Sequence, residues 1–205
     1  MVSKTVKGKD SYDLELADEK DLERLAGMHQ KAFKGLFSSD MGKGFLKGLY
    51  KNIIYSDAGV CYAVRDPNTK KVVGFIAGTS NEKNLLPTSF KIKSVYNLLL
   101  AVLRNPRTFT NVLRYIKKTR ISSGINTRAE LISIALEEEY QGKGLGSELV
   151  KTLEAWLRAE GIEKYKVFTD TKYSKGHILY EKIDFRLEKK FDLFGIENRC
   201  YVKKL

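Results

Sequence analysis

Between residues 141 and 147 the chain reads Gln141-Gly142-Lys143-Gly144-Leu145-Gly146-Ser147. Alternating glycines let a backbone turn sharply, adopt positive φ and approach a ligand closely. The stretch that follows, Glu148 to Glu160, carries Leu149, Leu153, Trp156 and Leu157 at helical spacing, with Val150 beside them. The first turn of a helix has N–H groups without intrahelical acceptors, and the helix dipole makes that end positive. A glycine turn leading into a helix can therefore cradle phosphate, and Lys143 adds a cation there. The same glycines would also serve an ordinary strand-to-helix turn. Two familiar phosphate loops do not fit. No lysine stands between Gly146 and Ser147, as a Walker loop needs, and Gly142-x-Gly144-x-Gly146 lacks the dinucleotide spacing.

Other residue types capable of chemistry are sparse. Cys61 and Cys200 lie far apart, without metal-ligand spacing, and read as two reduced thiols. His29 falls in an expected helix and His177 in another, both as packing or surface residues. Met1 to Arg24 has no apolar core of a signal peptide, and the longest apolar run, Leu98 to Leu103, is too short for a bilayer. The expectation is a cytoplasmic protein with no membrane span. With 205 residues, 42% of them hydrophobic and 30% charged, the chain can form one sizeable core.

The turn needs elements to hold it. Leu131 to Leu136 is a short apolar run and predicts a buried strand ahead of the glycines. Earlier, Ser11 to Leu16 suggests a first strand, and Asp18-x-x-Asp21 opens a helix with Leu22, Leu25, Met28 and Phe33 on one face. Gly35 breaks it. Met41 to Ile53 reads as a second helix after the capping residues Ser38, Ser39 and Asp40. Val60 to Arg65 and Lys71 to Thr79 read as a hairpin joined at Asp66-Pro67-Asn68-Thr69. Tyr50 and Tyr55 are assigned core or rim positions. After the glycine turn, Gly161 ends a helix, Lys164 to Thr169 is a strand, and Ser174 to Lys182 a short helix. Phe185 to Phe191 and Glu197 to Lys203 form a closing hairpin around Phe194-Gly195.

The net charge of +12 is unevenly placed. Lys83 to Arg128 holds ten basic residues and no acidic one, so the other 159 residues carry +2. Lys91 to Leu103 and Thr108 to Arg120 both read as helices, separated at Asn105-Pro106. This is a basic helical hairpin.

Gln141-x-x-Gly144-x-Gly146 resembles the Gln/Arg-x-x-Gly-x-Gly/Ala signature of the GNAT superfamily of N-acetyltransferases. Leu179-Tyr180-Glu181-Lys182-Ile183-Asp184-Phe185 is similar to the family's downstream Leu-Tyr-Glu-Lys-Leu-Gly-Phe segment. The resemblance is firm over residues 129 to 190 and looser over the front half. It implies the α/β GNAT acyl-CoA N-acyltransferase fold, an α+β mixed sheet, as a single domain over 1–205. The basic hairpin, about 81–128, is then an insert between the third and fourth expected strands.

The resemblance also implies a role for each stretch. Acetyl-CoA would be the cosubstrate and a primary amine the acceptor, with direct transfer and no metal. Gln141, Gly142, Lys143, Gly144, Leu145, Gly146 and Ser147 would hold its pyrophosphate. Ile134, Ala135 and Leu136 would pair with its pantetheine arm and donate an N–H to the acetyl carbonyl. Tyr180 would protonate the departing sulfur; a phenol near pKa ~10 can serve a thiolate near ~8.5. Two positions depart from the pattern: Tyr173 stands where many members have asparagine, and Asp184 where glycine is usual. The general base stays open among Asp170, Glu137, Glu138 and water, since Phe168 occupies the position where some members have glutamate.

The basic insert favours an anionic acceptor, with an amino sugar linked to a nucleotide as one fit. A protein N-terminus or lysine is the alternative acceptor. A different class of reading is a CoA-binding protein of this fold that docks on nucleic acid or an acidic membrane without catalysis. In the favoured reading nucleic acid is not a partner, and a homodimer is compatible with the chain.

Overall fold

Among the residues described, the apolar runs and their turns assemble into an eight-stranded mixed sheet in a computed structural model of the protein. The structure describes residues 4–7, 11–34, 39, 42–85, 124–170, 174–193 and 195–205. The two basic helices expected over 91–103 and 108–120, and Tyr173, Gly35 and Phe194, lie outside the described residues.

The strands are β1 (Lys4–Lys7), β2 (Ser11–Leu16), β3 (Gly59–Arg65), β4 (Val72–Thr79), β5 (Glu130–Leu136), β6 (Lys164–Asp170), β7 (Arg186–Asp192) and β8 (Glu197–Lys204). The helices are α1 (Leu22–Ala32), α2 (Lys43–Tyr55), α3 (Leu145–Ala159) and α4 (Ser174–Lys182). The spatial order is β1-β2-β3-β4-β5-β6-β8-β7. All neighbours are antiparallel except β5 and β6, which the α3 crossover joins in parallel.

Three details differ from the sequence reading or lie beyond it. Ser11–Leu16 is not the first strand, because Lys4–Lys7 pairs with it from the edge. The closing hairpin folds back so that β8, not β7, lies against β6. The helix expected from Glu148 starts at Leu145, because Gly144 takes the left-handed conformation (φ 85°) that ends the turn.

Alternation along the strands splits the core in two. On one face Leu149, Leu153 and Leu157 of α3, all fully buried, pack with Leu131, Ile76, Tyr165 and Tyr201. Each such leucine contributes about 1.5–3 kcal/mol. Gly78 permits this approach: a Cβ there would stand 2.5 Å from Leu153 Cδ1. On the other face α1 and α2 place Leu25, Met28, Tyr50 and Ile53 against Cys61, Phe75, Ala77 and Ala135. β4, buried at every position from Val72 to Thr79, is the central strand that its apolar sequence predicts.

Ion pairs fix the ends of these elements. Asp21, buried, accepts from the Asp18 amide and pairs with Arg65 at 2.9 Å. Lys166 on β6 is fully buried. Its Nζ donates to Glu82 Oε1 at 2.9 Å and to the Thr127 carbonyl at 2.7 Å. Glu82 and Thr127 flank the basic segment in sequence, so one lysine fastens both of its roots to the sheet. The Glu82 amide adds a bond to the Arg128 carbonyl at 3.0 Å.

Candidate active site

β5 pairs with β4 from Thr79↔Glu130 to Gly74↔Leu136. On its other edge it pairs with β6 only at Glu130↔Lys166 and Leu131↔Val167. Between Leu131↔Gly78 and Ser133↔Ala77 the register shifts, which leaves Ile132 as an extra residue in β5. A bulge bends its strand and sharpens the local twist. Ile134, Ala135 and Leu136 therefore diverge from β6, while β6 continues along β8 to Asp170. The gap leaves the inner edge of β5 with main-chain groups that an extended ligand can pair with.

The glycine turn closes over the end of this strand. Gln141 Nε2 donates to the Leu136 carbonyl at 2.9 Å, which ties the turn to β5. Gly142 and Gly144 both take positive φ, 74° and 85°. The amides of Ser147 and Glu148 return to the Gly144 carbonyl at 3.0 and 3.2 Å. The five amides before them, Gly142 to Gly146, donate to no backbone carbonyl of the described residues. They sit at the positive end of the fifteen-residue helix α3. The Leu145 side chain is buried in the core, so only its amide faces the turn. Lys143 is exposed, with Nζ 5.4 Å from the centre of the Tyr140 ring. Tyr140 in turn donates to Asp66 at 3.0 Å.

α4 reaches the same place. A Cβ on Gly146 would lie 3.8 Å from Leu136 Cδ1 and 4.0 Å from Leu179 Cδ2. Strand end, helix start and α4 thus converge on one glycine. Tyr180, next to Leu179, is 6% exposed and packs on Phe185 and Tyr201 at centroid distances of 5.3 and 6.2 Å. Burial raises its phenol above the ordinary range, so it stays protonated. Its hydroxyl makes no hydrogen bond among the described residues. Asp184, at the family's glycine position, has φ 67°. Aspartate tolerates that left-handed conformation better than most residues, so the turn after α4 survives the replacement.

The carboxylates weighed as bases are dispersed. Glu137 is paired with Arg24 at 2.6 Å, beyond the end of β5. Glu138 is exposed in a 3-10 turn. Asp170 is buried at the end of β6, opposite Asn198 of β8.

One set of contacts joins residues that the sequence reading left apart. His29 Nδ1 lies 2.6 Å from the Tyr50 hydroxyl, and that hydroxyl lies 2.9 Å from Ser133 Oγ. All three residues are buried. The legible signal was Ser133 itself, a polar residue inside Leu-Ile-Ser-Ile-Ala-Leu, since a buried hydroxyl needs a partner. Tyr55, by contrast, is 63% exposed and donates to Glu19.

Comparison with known proteins agrees with this geometry. The sequence profile described as the acetyltransferase (GNAT) family matches residues 29–185. No curated protein matches the sequence. Among solved structures, the PaiA N-acetyltransferase of Thermoplasma acidophilum in complex with coenzyme A is similar, with TM-score 0.61 and 16% identity over 96% of this chain and 100% of that one. An N-acetyltransferase from Staphylococcus aureus Mu50 has TM-score 0.61 and 13% identity over 95% and 99%. Arabidopsis thaliana NAA60 in complex with a bisubstrate analogue has TM-score 0.59 and 15% identity over 95% and 99%. At such identities these likenesses speak for the fold.

Proposed function

This chain belongs to the acetyltransferase (GNAT) family, and on that premise we propose that it moves the acetyl group of acetyl-CoA directly to a primary amine. The observation that carries this reading is the convergence on Gly146 of the β5 end, the unpaired amides of the turn and α4, beside a strand pair that parts after Leu131. Acetyl-CoA supplies the activated thioester. The amides from Gly142 to Gly146 bind its diphosphate, with Lys143 as a nearby cation and Ser147 closing the first turn. Gln141 holds the turn against Leu136 rather than reaching outward. The inner edge of Ile134, Ala135 and Leu136 pairs with the pantetheine arm, and an N–H there polarises the acetyl oxygen. Tyr180, neutral and without a competing partner among the described residues, gives its proton to the sulfur.

The acceptor follows from charge. The basic segment between β4 and β5 is rooted at Glu82 and Thr127. Thr127 precedes Leu131, where the gap opens, by four residues, about 13 Å of extended chain. The ten basic residues that the sequence carries between these roots favour an anionic amine such as a phosphorylated or nucleotide-linked amino sugar. The test is free-thiol release from acetyl-CoA with amino sugars, polyamines, peptide N-termini and aminoglycosides, repeated with Tyr180→Phe. Thiol release with an anionic amino sugar in excess of the others supports the reading. Release with peptides alone moves the acceptor to protein N-termini, and no release with any amine overturns the proposed transfer.

A further inference from the structure

The donor turn and Tyr180 lie on the α3 face of the sheet, and α1 and α2 cover the other face. Between the two faces β5 and β6 part after Leu131↔Val167. Ser133 is the β5 residue just past the bulge, two positions beyond the last β5–β6 pair, and it is buried on the α1 and α2 side with Tyr50. Ser133 Oγ is the strand end of a hydrogen-bonded chain that runs through Tyr50 of α2 to His29 of α1, at 2.9 and 2.6 Å.

We infer that Ser133, Tyr50 and His29 form the proton-accepting chain for the acceptor amine in the transfer proposed above. With the His29 proton on Nε2, Tyr50 donates to Nδ1, Ser133 donates to Tyr50, and Ser133 Oγ keeps lone pairs free to accept. As the amine nitrogen bonds to the acetyl carbon, its N–H bond breaks and a new O–H forms on Ser133. The original Ser133 proton passes to the Tyr50 oxygen, and the Tyr50 proton passes to Nδ1. His29 ends as imidazolium and returns the proton to solvent after the amide leaves. The thiolate takes its separate proton from Tyr180, and the resulting phenolate regains one from solvent as His29 releases its own, so the two ends balance. Burial lowers the His29 pKa to about 4, so the ring is neutral near pH 7 and Nδ1 can accept from Tyr50, while the imidazolium is disfavoured there and gives its proton up again. Asp170 is buried at the end of β6 against β8, and the two glutamates do not offer this route. Glu137 is engaged by Arg24, and Glu138 lies outside the gap.

The test compares wild type, Tyr50→Phe, Ser133→Ala and the double variant, with the best amine of the panel above. Measured are kcat, both KM values, the solvent deuterium isotope effect on kcat, and the melting temperature. Each single variant is expected to lower kcat about 10²-fold, with the KM for acetyl-CoA within about twofold of wild type. The double variant is expected to fall no further than a single one, because a relay cut once is already cut. The isotope effect shrinks in all three. Unchanged kcat overturns the relay, and so does a wild-type isotope effect in the variants. Losses that multiply in the double variant in step with falling melting temperature also overturn it, since they mark a packing role. A wild type that turns over no amine overturns the transfer itself, and calorimetric binding of coenzyme A then reports separately on the donor site.

Discussion

Leu136 and Leu179 meet across Gly146, at 3.8 and 4.0 Å from the position its Cβ would take. One residue ends β5 and the other precedes Tyr180 on α4, so the first turn of α3 is the place where the proposed donor-holding and proton-donating parts are brought into register. Both distances are ordinary contact, so the site tolerates one methyl group at Gly146 but not a larger side chain.

Gly144 and Gly146 should therefore respond differently to substitution. Gly144→Ala forces a side chain into φ 85° and is expected to cost about 1–2 kcal/mol of stability. It should also weaken coenzyme A binding by displacing the amides. Gly146→Ala is expected to change stability by less than about 0.5 kcal/mol. Urea unfolding and calorimetry with coenzyme A check both, and equal effects at the two positions would contradict the assignment of the turn.

Tyr180→Phe removes a hydroxyl with no partner among the described residues, so melting should move by less than about 2 °C. If Tyr180 protonates the sulfur, kcat falls about 10²-fold while acetyl-CoA binding persists. Because burial raises the phenol, the wild-type rate should show no loss from Tyr180 ionisation up to pH ~10, the ordinary phenol value. A thiol-release assay across pH 7 to 10 measures both quantities.

Lys166→Met leaves the Glu82 carboxylate and the Thr127 carbonyl without their buried cation. Breaking one side of such a pair is expected to cost about 3 kcal/mol. Lys166→Met with Glu82→Leu should recover much of that loss, because the stranded charge is gone. A denaturant double-mutant cycle measures the coupling.

His29 makes stability depend on pH. Its folded pKa, about 4, lies below the unfolded value near 6.5. The unfolded chain therefore binds the extra proton between these values. The His29 contribution is complete above pH ~6.5 and is lost as pH falls toward 4, by up to about 3 kcal/mol. His29→Gln should flatten the stability profile between pH 6.5 and 4.5. Melting curves across that range, wild type against variant, decide it.

Much of the site was legible because it is made of contiguous residues. Gln141 to Gly146 announces a turn into a helix through glycine conformation alone, and Gly142 and Gly144 do take positive φ. The spacing of Leu149, Leu153 and Leu157 marks the buried face of α3, and the Leu179 to Phe185 segment marks α4 with Tyr180 in place. What stayed hidden depends on residues far apart in the chain. The Lys4–Lys7 strand exists by pairing with β2, and its four residues, three of them polar, give no apolar pattern. The position of β8 between β6 and β7 is a choice between two edges that the same hairpin could present.

The sequence by itself therefore determined most of the elements and the glycine turn between β5 and α3, because backbone freedom, capping and periodicity are local properties. Only the tertiary structure decided where the sheet parts, through one extra residue, Ile132, opposite Ala77 and Gly78. It alone joined His29, Tyr50 and Ser133 across 21 and 83 positions of chain, and seated Lys166 between the two roots of the basic segment. Those contacts satisfy buried polar groups, and the partner that satisfies such a group is set by packing in space, which spacing along a chain does not encode.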